Sequence, residues 1–344
     1  RPYKHNVIIP SNSYKGLRCT ENGYNFVMQN INDFKKQSLK LFTDKIIYEL
    51  QPFEEQRIEA YKKYKKALVI FLLFLVFIII FLICMFIVKV PKEYESFFSI
   101  FLAATEAVAL YYLGQIFLIS KDFERNLKKQ IMTLVFKNVP NFKWQEKSDI
   151  SNYMIEKFRL FDFDLQSRND DDCFKGKYKD IDIDICETAL RITFRGILIC
   201  LSLKDKNYKG LTLIKQDNLF TTIDKPLKSY IKNNDLKLVK LEDVEFDKIF
   251  NVSSSDQIEA RYILTTSFME RLKNLKTVFK ADKVEASFCS NYVLIALHTW
   301  KDLFKLGNVT KPVYNFNQYK TMIDEFASIF ELIDELKFTD NIGL

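Results

Sequence analysis

Residues 67–88 form a run of 22 residues that contains no charged side chain. At about 1.5 Å per residue, a helix of this length extends roughly 33 Å, enough to cross a hydrocarbon layer of about 30 Å. The run is too long for a secretory signal peptide, and 66 residues precede it. A helix buried in a soluble core is the alternative, but such a helix rarely carries apolar side chains on every face. We therefore predict a transmembrane helix.

A second, less apolar run follows a short polar connection. Residues 89–96 contain Pro91 and several charges, which end the first helix. Residues 97–119 form the second run, and a charged stretch over residues 121–129 closes it. Eight connecting residues are too few for a domain, so the sequence predicts a transmembrane helical hairpin over residues 67–119.

Basic residues on either side of the hairpin predict its orientation. Arg57, Lys62, Lys63, Lys65 and Lys66 precede the first span, and Lys121, Arg125, Lys128 and Lys129 follow the second. The connection contains only Lys89 and Lys92, so the positive-inside rule places both termini in the cytoplasm. Apart from Arg57, the flanking cations are our candidates for contacts with lipid headgroups, although a topology signal alone explains them equally well.

Glu106 lies about nine residues into the second span. A carboxylate at that depth is energetically costly and marks a functional candidate. Ala103, Ala107 and Gly114 lie near one helix face and would allow close packing of another helix. One interpretation is an ion or proton site or a contact between subunits; the other is a protonated carboxyl group sealed against a neighbouring helix. Two spans enclose a pathway only in an oligomer.

The hairpin divides the rest of the chain into soluble parts. Because the sequence begins at Arg1 and not at methionine, we expect its natural start to lie upstream. Residues 1–66 are predicted to form a cytoplasmic helical arm, which packs on the C-terminal domain or pairs with another copy. Residues 120–172 are predicted to be a juxtamembrane helical segment, and residues 173–344 a cytoplasmic domain.

Alternating apolar residues predict strands in the C-terminal domain, at 178–185, 191–203 and 211–215, with a hairpin over 284–298. Asp256 and Ser267 each stand three residues before a glutamate and are predicted to begin helices as capping boxes. A long C-terminal helix would carry a solvated acidic side formed by Asp324, Glu325, Glu331, Asp334 and Glu335. The predicted fold class is α+β: a transmembrane helical hairpin with a cytoplasmic domain of mixed antiparallel sheet and helices.

Composition argues against several functional classes. Of the net charge of +7, residues 1–66 carry most, with 13 basic and 7 acidic residues, whereas residues 120–344 are nearly balanced at 36 and 34. We therefore expect no nucleic-acid partner. His5 and His298 are the only histidines, and the six cysteines form no Cys-x-x-Cys pair, so we predict no metal site and no cofactor. Scattered thiols fit a reducing cytosol.

The common catalytic motifs are missing: there is no phosphate-binding loop, dinucleotide fingerprint, zinc-protease helix or nucleophile elbow. We interpret His298 as a structural or surface histidine. We interpret residues 170–172, with Asp162 and Asp164 upstream, as a solvated acidic loop that holds no cation. Three more aspartates (Asp180, Asp182 and Asp184) are expected on the solvent-facing edge of a strand. Arg261 is expected to be a polar core anchor that pairs with Glu259 or Glu270.

Several stretches resemble the bacterial "domain of unknown function 3137" family. They are Pro-Phe-Glu-Glu before the first span, the basic helix after the second span, residues 174–178, residues 194–196 and above all residues 252–272. The resemblance extends over about residues 40–340. It implies an integral membrane protein of bacteria that is often encoded near LemA-type membrane proteins. It implies no activity and no catalytic residues.

Three functions are compatible with these observations. The first, which we favour, is a binding or scaffolding module of unknown ligand, anchored in the bacterial inner membrane with both termini cytoplasmic. Its partners would be the lipid bilayer, a second copy of the chain, or, from the resemblance alone, a LemA-type protein. The second is an oligomeric pore or transport-accessory protein that uses Glu106. The third is an enzyme whose site forms only in three dimensions; since no catalytic group is visible, we expect a protein without enzymatic activity.

Overall fold

The computed structural model describes residues 30–338 apart from a few short gaps. These gaps are residues 89–90, 138–140, 162, 164, 166, 192, 205, 217–234, 302 and 305–306. His5, Cys19, Asp162 and Asp164 therefore lie outside the described residues.

The described residues up to Lys137 are mostly helical. They contain α1 (Ile31–Leu41), a π-helical turn (Phe42–Ile46), α2 (Ile47–Glu49), α3 (Gln51–Val88) and α4 (Lys92–Lys137). Both α3 and α4 include a stretch long and apolar enough to cross a membrane, and only 6% of the most apolar 18-residue window of each is buried. Each apolar run thus continues without a break into a charged helical segment beside the domain.

The remaining elements form one antiparallel sheet with helices on its faces. The strands are β1 (Phe142–Gln145), β2 (Arg168–Tyr178), β3 (Ile181–Leu190), β4 (Phe194–Ser202), β5 (Tyr208–Gln216), β6 (Lys237–Leu238), β7 (Phe250–Ser254), β8 (Lys283–Ser290) and β9 (Tyr292–His298). Their order is β1-β2-β3-β4-β9-β8-β5-β7-β6. The helices are α5 (Asn152–Lys157), α6 (Val244–Ile249), α7 (Gln257–Ile263), α8 (Thr266–Val278) and α9 (Phe316–Phe338). The predicted α+β class with an antiparallel sheet is confirmed.

Both faces of the sheet are covered. On β4, Ile197, Ile199 and Leu201 belong to a core shared with α1, α4, α8 and α9. The alternate residues Leu198 and Cys200 belong to a second, smaller core under α5 and the segment that follows it. Since the central strands are buried on both sides, they read as nearly continuous apolar runs.

Helix α9 is the centre of the larger core. The Phe326 ring lies 5.5 Å from Phe136 of α4, 5.6 Å from Phe142 of β1 and 5.3 Å from Phe174 of β2, between ring centroids. It also lies 5.7 Å from Phe304 in the loop before α9. One aromatic side chain therefore joins the base of the hairpin, the sheet and the C-terminal helix.

The N-terminal arm packs on the domain of its own chain. The ring centroids of Phe34 and Phe330 are 5.0 Å apart, and Phe42 stacks on Tyr319 at 4.4 Å. Of the two arrangements expected for the arm, the structure shows the one within a single chain.

A loop before α9 contacts the start of α3 and the C-terminal part of α4. Glu54 Oε2 accepts from the Val313 backbone N–H at 3.0 Å, and Arg57 Nη1 donates to the Val309 carbonyl at 2.8 Å. On the other side, Gly307 adopts φ of +77°, and a Cβ there would lie only 3.1 Å from Val313 Cα and in ordinary contact with Leu127 of α4, at 3.5 Å. The positive φ and the tight space both favour glycine, so residues 307–313 fit between α3 and α4.

The interpretations of the aspartate clusters were wrong. Residues 170–172 lie in β2, and Asp172 is fully buried, so they are not a solvated loop. Strand β3, which contains Asp182 and Asp184, lies between β2 and β4 and is not an edge strand. Asp180 stands in the preceding turn with φ of +70°. Burial raises the pKa of Asp184 above its usual value.

Three further expectations also needed correction. Glu325 is buried among the residues of α9, not solvated, and burial raises its pKa to about 8. Arg261 is exposed on α7, whereas Glu259 accepts from the backbone N–H groups of Lys209 and Gly210. Asp256 does cap α7, but Thr265 caps α8 in place of Ser267. Sequence spacing identified both helices but missed the longer-range partners.

We expect Phe326→Ala to lower the free energy of unfolding of the domain by about 4 kcal/mol, because the substitution removes four aromatic contacts and leaves a cavity. Chemical denaturation of the purified protein in detergent measures this loss. Tyr153→Ala, at an exposed aromatic on α5, is the control and should change stability by less than about 0.5 kcal/mol. Similar losses in the two variants would contradict the central role of Phe326.

Candidate functional site

The hairpin presents a continuous apolar surface outside the domain. Leu73 is 64% exposed, Phe86 87%, Ile100 71% and Leu110 65%. The two helices touch along one side through ring pairs such as Phe77 with Phe101 at 6.2 Å and Phe81 with Phe98 at 5.8 Å. The other faces have no protein contact within the described part of the chain. Most of the large apolar side chains that are exposed in the described part of the chain lie on these two helices.

Most of the predicted headgroup contacts lie exposed on the charged segments of α3 and α4. They are Lys62, Lys63, Lys65, Lys66, Lys121, Arg125 and Lys129. Lys129 forms an exposed ion pair with Glu146 at 2.5 Å. Lys128 differs from the rest, because its Nζ lies 2.7 Å from Asp172 Oδ2 and 3.0 Å from Asp171 Oδ2. It faces the domain, not the surrounding solvent.

The Lys128–Asp172 pair fastens α4 to β2. The Asp172 side chain is fully buried, and its Oδ1 accepts from Trp144 Nε1 at 3.0 Å. Burial raises the pKa of Asp172 to about 6, against the opposing effects of Lys128 and Trp144. Burial also acts to lower the pKa of Lys128, but attraction to Asp172 and Asp171 outweighs it and raises that pKa well above its usual value. The pair is therefore a structural contact at the base of the hairpin.

Glu106 lies exposed on the hairpin and is not sealed against α3. Ala103 and Ala107 are exposed too, and a Cβ added at Gly114 would meet no atom within 4 Å. The small residues and Glu106 thus share an open region of α4. None of the described residues of the same chain covers this carboxyl group.

His298 belongs to a cluster of charged residues at the ends of β8 and β9. Its Nε2 lies 3.1 Å from Glu285 Oε2, and Lys283 Nζ lies 2.6 Å from Glu285 Oε1. Burial acts to raise the pKa of Glu285, but these two partners outweigh it and lower that pKa below its usual value. The His298 ring also packs edge-on against Phe194 at 4.7 Å. These contacts, all with residues of the same sheet, agree with a structural histidine.

One cluster resembles a metal site in its donor atoms. Asp170, Cys173 and Cys186 place an oxygen and two sulfurs within 4.8 Å of one another, because Cys173 and Cys186 are directly opposed in β2 and β3. Asp170, however, already accepts from Arg168 Nε at 2.6 Å and from the Ser148 backbone N–H at 3.2 Å. The described residues supply no fourth donor of this kind, and the guanidinium of Arg168 opposes a cation. The cluster does not fit a metal ion.

Sequence reasoning missed these buried clusters, because strand register brings their members together. Residues 128, 144 and 172 come from α4, β1 and β2, and no spacing along the chain connects them. None of the clusters joins a nucleophile to a base, so an enzymatic function gains no specific support from them.

Comparison with known proteins gives one family match, in the C-terminal part of the chain. Residues 192–338 match the family model described as "Protein of unknown function (DUF3137)". This part of the chain is similar to the DUF3137 family. The DUF3137 match spans β4 to β9 and ends with α9, and it leaves out the hairpin and β1–β3. The expected resemblance to this family is confirmed, but over residues 192–338 and not over the whole range 40–340 that we expected. No curated protein and no solved structure matches the chain.

We expect Lys128→Met to destabilise the protein by about 3 kcal/mol at pH 8, because it leaves Asp172 buried without its cation. Part of this loss should be recovered near pH 5. The pKa of Asp172 in the folded variant would lie even further above its unfolded value, so the folded state binds the proton more tightly and stability rises as pH falls. Denaturation curves at both pH values measure the effect.

Lys129→Met is the matched control for this prediction. Its ion pair with Glu146 is exposed, and such a pair contributes about 0–1 kcal/mol. Equal effects of the two substitutions, or a loss at position 128 that does not depend on pH, would contradict the assignment of Lys128 to the domain.

Proposed function

We propose that the chain is an integral protein of the bacterial inner membrane, in which the helical hairpin anchors a cytoplasmic α+β binding or scaffolding module. The observation that carries this proposal is the exposed apolar surface of the hairpin. In each of its two helices, only 6% of the most apolar 18-residue window is buried. In water this surface would be costly, at about 25 cal/mol per Å² of exposed apolar area. A core helix of a soluble protein would be buried instead.

The base of the hairpin supports a scaffolding role. The helices run without a break from the apolar spans into the domain, where Val309, Val313 and Asp172 fasten them through Arg57, Glu54 and Lys128. Such contacts on both helices hold the domain in a fixed orientation relative to the bilayer. A rigid attachment of this kind suits a module that presents one surface to a partner.

The DUF3137 part carries exposed apolar side chains that suit a protein partner. Ile258 and Tyr262 on α7, and Val244 and Ile249 on α6, are exposed, and both helices contact β7 near the edge of the sheet. Grouped apolar side chains on a surface mark interaction sites more often than isolated ones do. A LemA-type membrane protein is the partner that we propose from the family resemblance, and we propose no nucleic-acid partner.

Cysteine labelling tests the anchoring and the orientation. In membrane vesicles, Lys62→Cys and Asp122→Cys should react with an impermeant maleimide from the same side, and Glu93→Cys from the opposite side. The protein should also resist extraction by alkaline carbonate, because its spans lie in hydrocarbon. Release by carbonate would overturn the anchoring. Labelling of all three positions from one side would overturn the hairpin topology.

An oligomeric pore or transport-accessory protein is the second candidate, favoured by the exposure of Glu106 beside Ala103, Ala107 and Gly114. In a bilayer that carboxyl group would need a partner, and the adjacent small residues allow close approach of a second copy. In such an oligomer, the Glu106 side chains of the several copies would face a shared centre.

We expect ion flux into proteoliposomes to change at least severalfold in Glu106→Gln if this second function holds, because the variant removes the only acidic charge of the span. Glu95→Gln, at the start of α4, is the control and should leave flux unchanged. The pore would be excluded if liposomes that contain the unsubstituted protein showed the same flux as protein-free liposomes. A monomeric state in nanodiscs would also exclude it.

A further inference from the structure

The contacts of α4 give the direction in which the domain faces. Close to the apolar span, Lys128 contacts Asp172 at 2.7 Å, and two turns further along the helix the ring of Phe136 lies 4.8 Å from Phe174. Strand β2 therefore runs away from the hairpin in the same direction as α4. The beginning of β2, at Arg168, is the end nearest to the apolar spans.

Strand register extends this end across the sheet. Arg168 pairs with Leu190, Leu190 with Phe194, Gly196 with His298, and His298 with Lys283. The turn between β3 and β4 and the exit from β9 thus lie on the side of the domain that faces the hairpin. The loop after β9 continues to Val309, which Arg57 holds against α3.

Exposed cations and one tryptophan occupy this side. We define the membrane-side rim as Arg191, Arg195, Trp300, Lys301 and Lys311. All five are exposed, and Trp300 is 72% exposed. None of the four cations forms an ion pair with a residue that the structure describes. Asp282 is an exposed carboxylate next to the rim, and Asp171 of β2 is another on this side, where it pairs with Lys128. The rim itself carries four cations and no carboxylate.

We propose that the membrane-side rim adsorbs to anionic lipid headgroups of the bilayer that the hairpin spans; this inference rests on the proposed anchoring. Arg57, which holds the rim loop, precedes the apolar run by ten residues, or about 15 Å of helix. The headgroup layer covers about 5–7 Å of that distance. Extended arginine and lysine side chains, and a Debye length of about 8 Å, bridge the rest.

The tryptophan distinguishes this rim from an ordinary solvated surface. Exposed cations occur on most soluble proteins, whereas an indole that is mostly exposed to water is uncommon. Tryptophan favours the headgroup level of a bilayer, where its ring is partly buried and its N–H stays hydrated. A basic rim with an exposed indole, oriented toward the membrane, is therefore complementary to an anionic lipid surface.

Energy transfer from tryptophan to a dansyl-labelled lipid headgroup tests the inference on the full chain in nanodiscs. Trp144 and Trp300 are the only two tryptophans, so the difference between the unsubstituted protein and Trp300→Phe isolates the signal of Trp300. We expect this signal to be greater in nanodiscs that contain phosphatidylglycerol than in those of phosphatidylcholine alone. It should fall as salt is raised to about 1 M, because screening weakens the attraction.

Charge variants supply the matched comparison. The triple variant Arg191→Gln, Arg195→Gln, Lys301→Gln should lose the dependence of the Trp300 signal on anionic lipid, since each cation near an anionic surface strengthens adsorption about fivefold. The control removes the same charge at the opposite end of the sheet, with Lys177→Gln, Lys204→Gln, Lys209→Gln, and should keep the dependence. Intact folding of both is checked by circular dichroism.

The outcomes separate this inference from the anchoring. A Trp300 signal that does not respond to anionic lipid, in protein that inserts into nanodiscs and resists carbonate, would overturn the rim and leave the anchoring intact. An equal loss in the rim and control variants would also overturn it, because net charge alone would then explain the effect. Failure to insert would overturn the anchoring itself, and the rim inference with it.

Discussion

The packing of α9 against the sheet is the contact on which the rest of the structure depends. Phe326 and Phe330 reach the base of α4, strands β1 and β2, and the arm helix α1. The C-terminal helix thus brings together segments that are almost 300 residues apart in the chain. Burial of its aromatic side chains stabilises the domain and also fixes where the hairpin leaves it.

Contacts of charged groups orient the hairpin relative to this apolar core. Lys128 with Asp172, Arg57 with Val309 and Glu54 with Val313 all lie where α3 and α4 meet the domain. Buried polar contacts contribute less net stability than apolar packing, but they allow few alternative arrangements. We therefore attribute the fixed orientation of the hairpin to these contacts, and the stability of the fold to the two cores.

This division suits a protein whose domain is held at a surface. The DUF3137 match ends at α9 and excludes the hairpin, yet α9 is the element that holds the hairpin in place. A hairpin and a domain that share one core cannot move independently. The proposed binding surface on α6 and α7 and the membrane-side rim would consequently keep a constant relation to the bilayer.

The sequence by itself determined the elements whose signal is local. The two apolar helices, the alternating strands, the cap at Asp256 and the α+β class all follow from periodicity and short-range spacing, which act over a few residues. The family resemblance was also visible in residues 194–196 and 252–272, which lie within the matched part of the chain. The orientation of the hairpin, read from nine flanking cations, stays a prediction.

Only the tertiary structure decided which charges are buried. Asp172 and Glu325 look like ordinary solvated acids in the sequence, because hydrophilicity reports an average preference and not a position. Their burial depends on which face of a strand or helix meets the core, and on partners such as Lys128 that lie some 40 residues away. The direction of the membrane-side rim likewise came from register and from the contacts of α4. Side-chain pairing across a sheet depends on how the strands are assembled. Spacing along the chain relates only residues a few positions apart, so it does not predict these pairs.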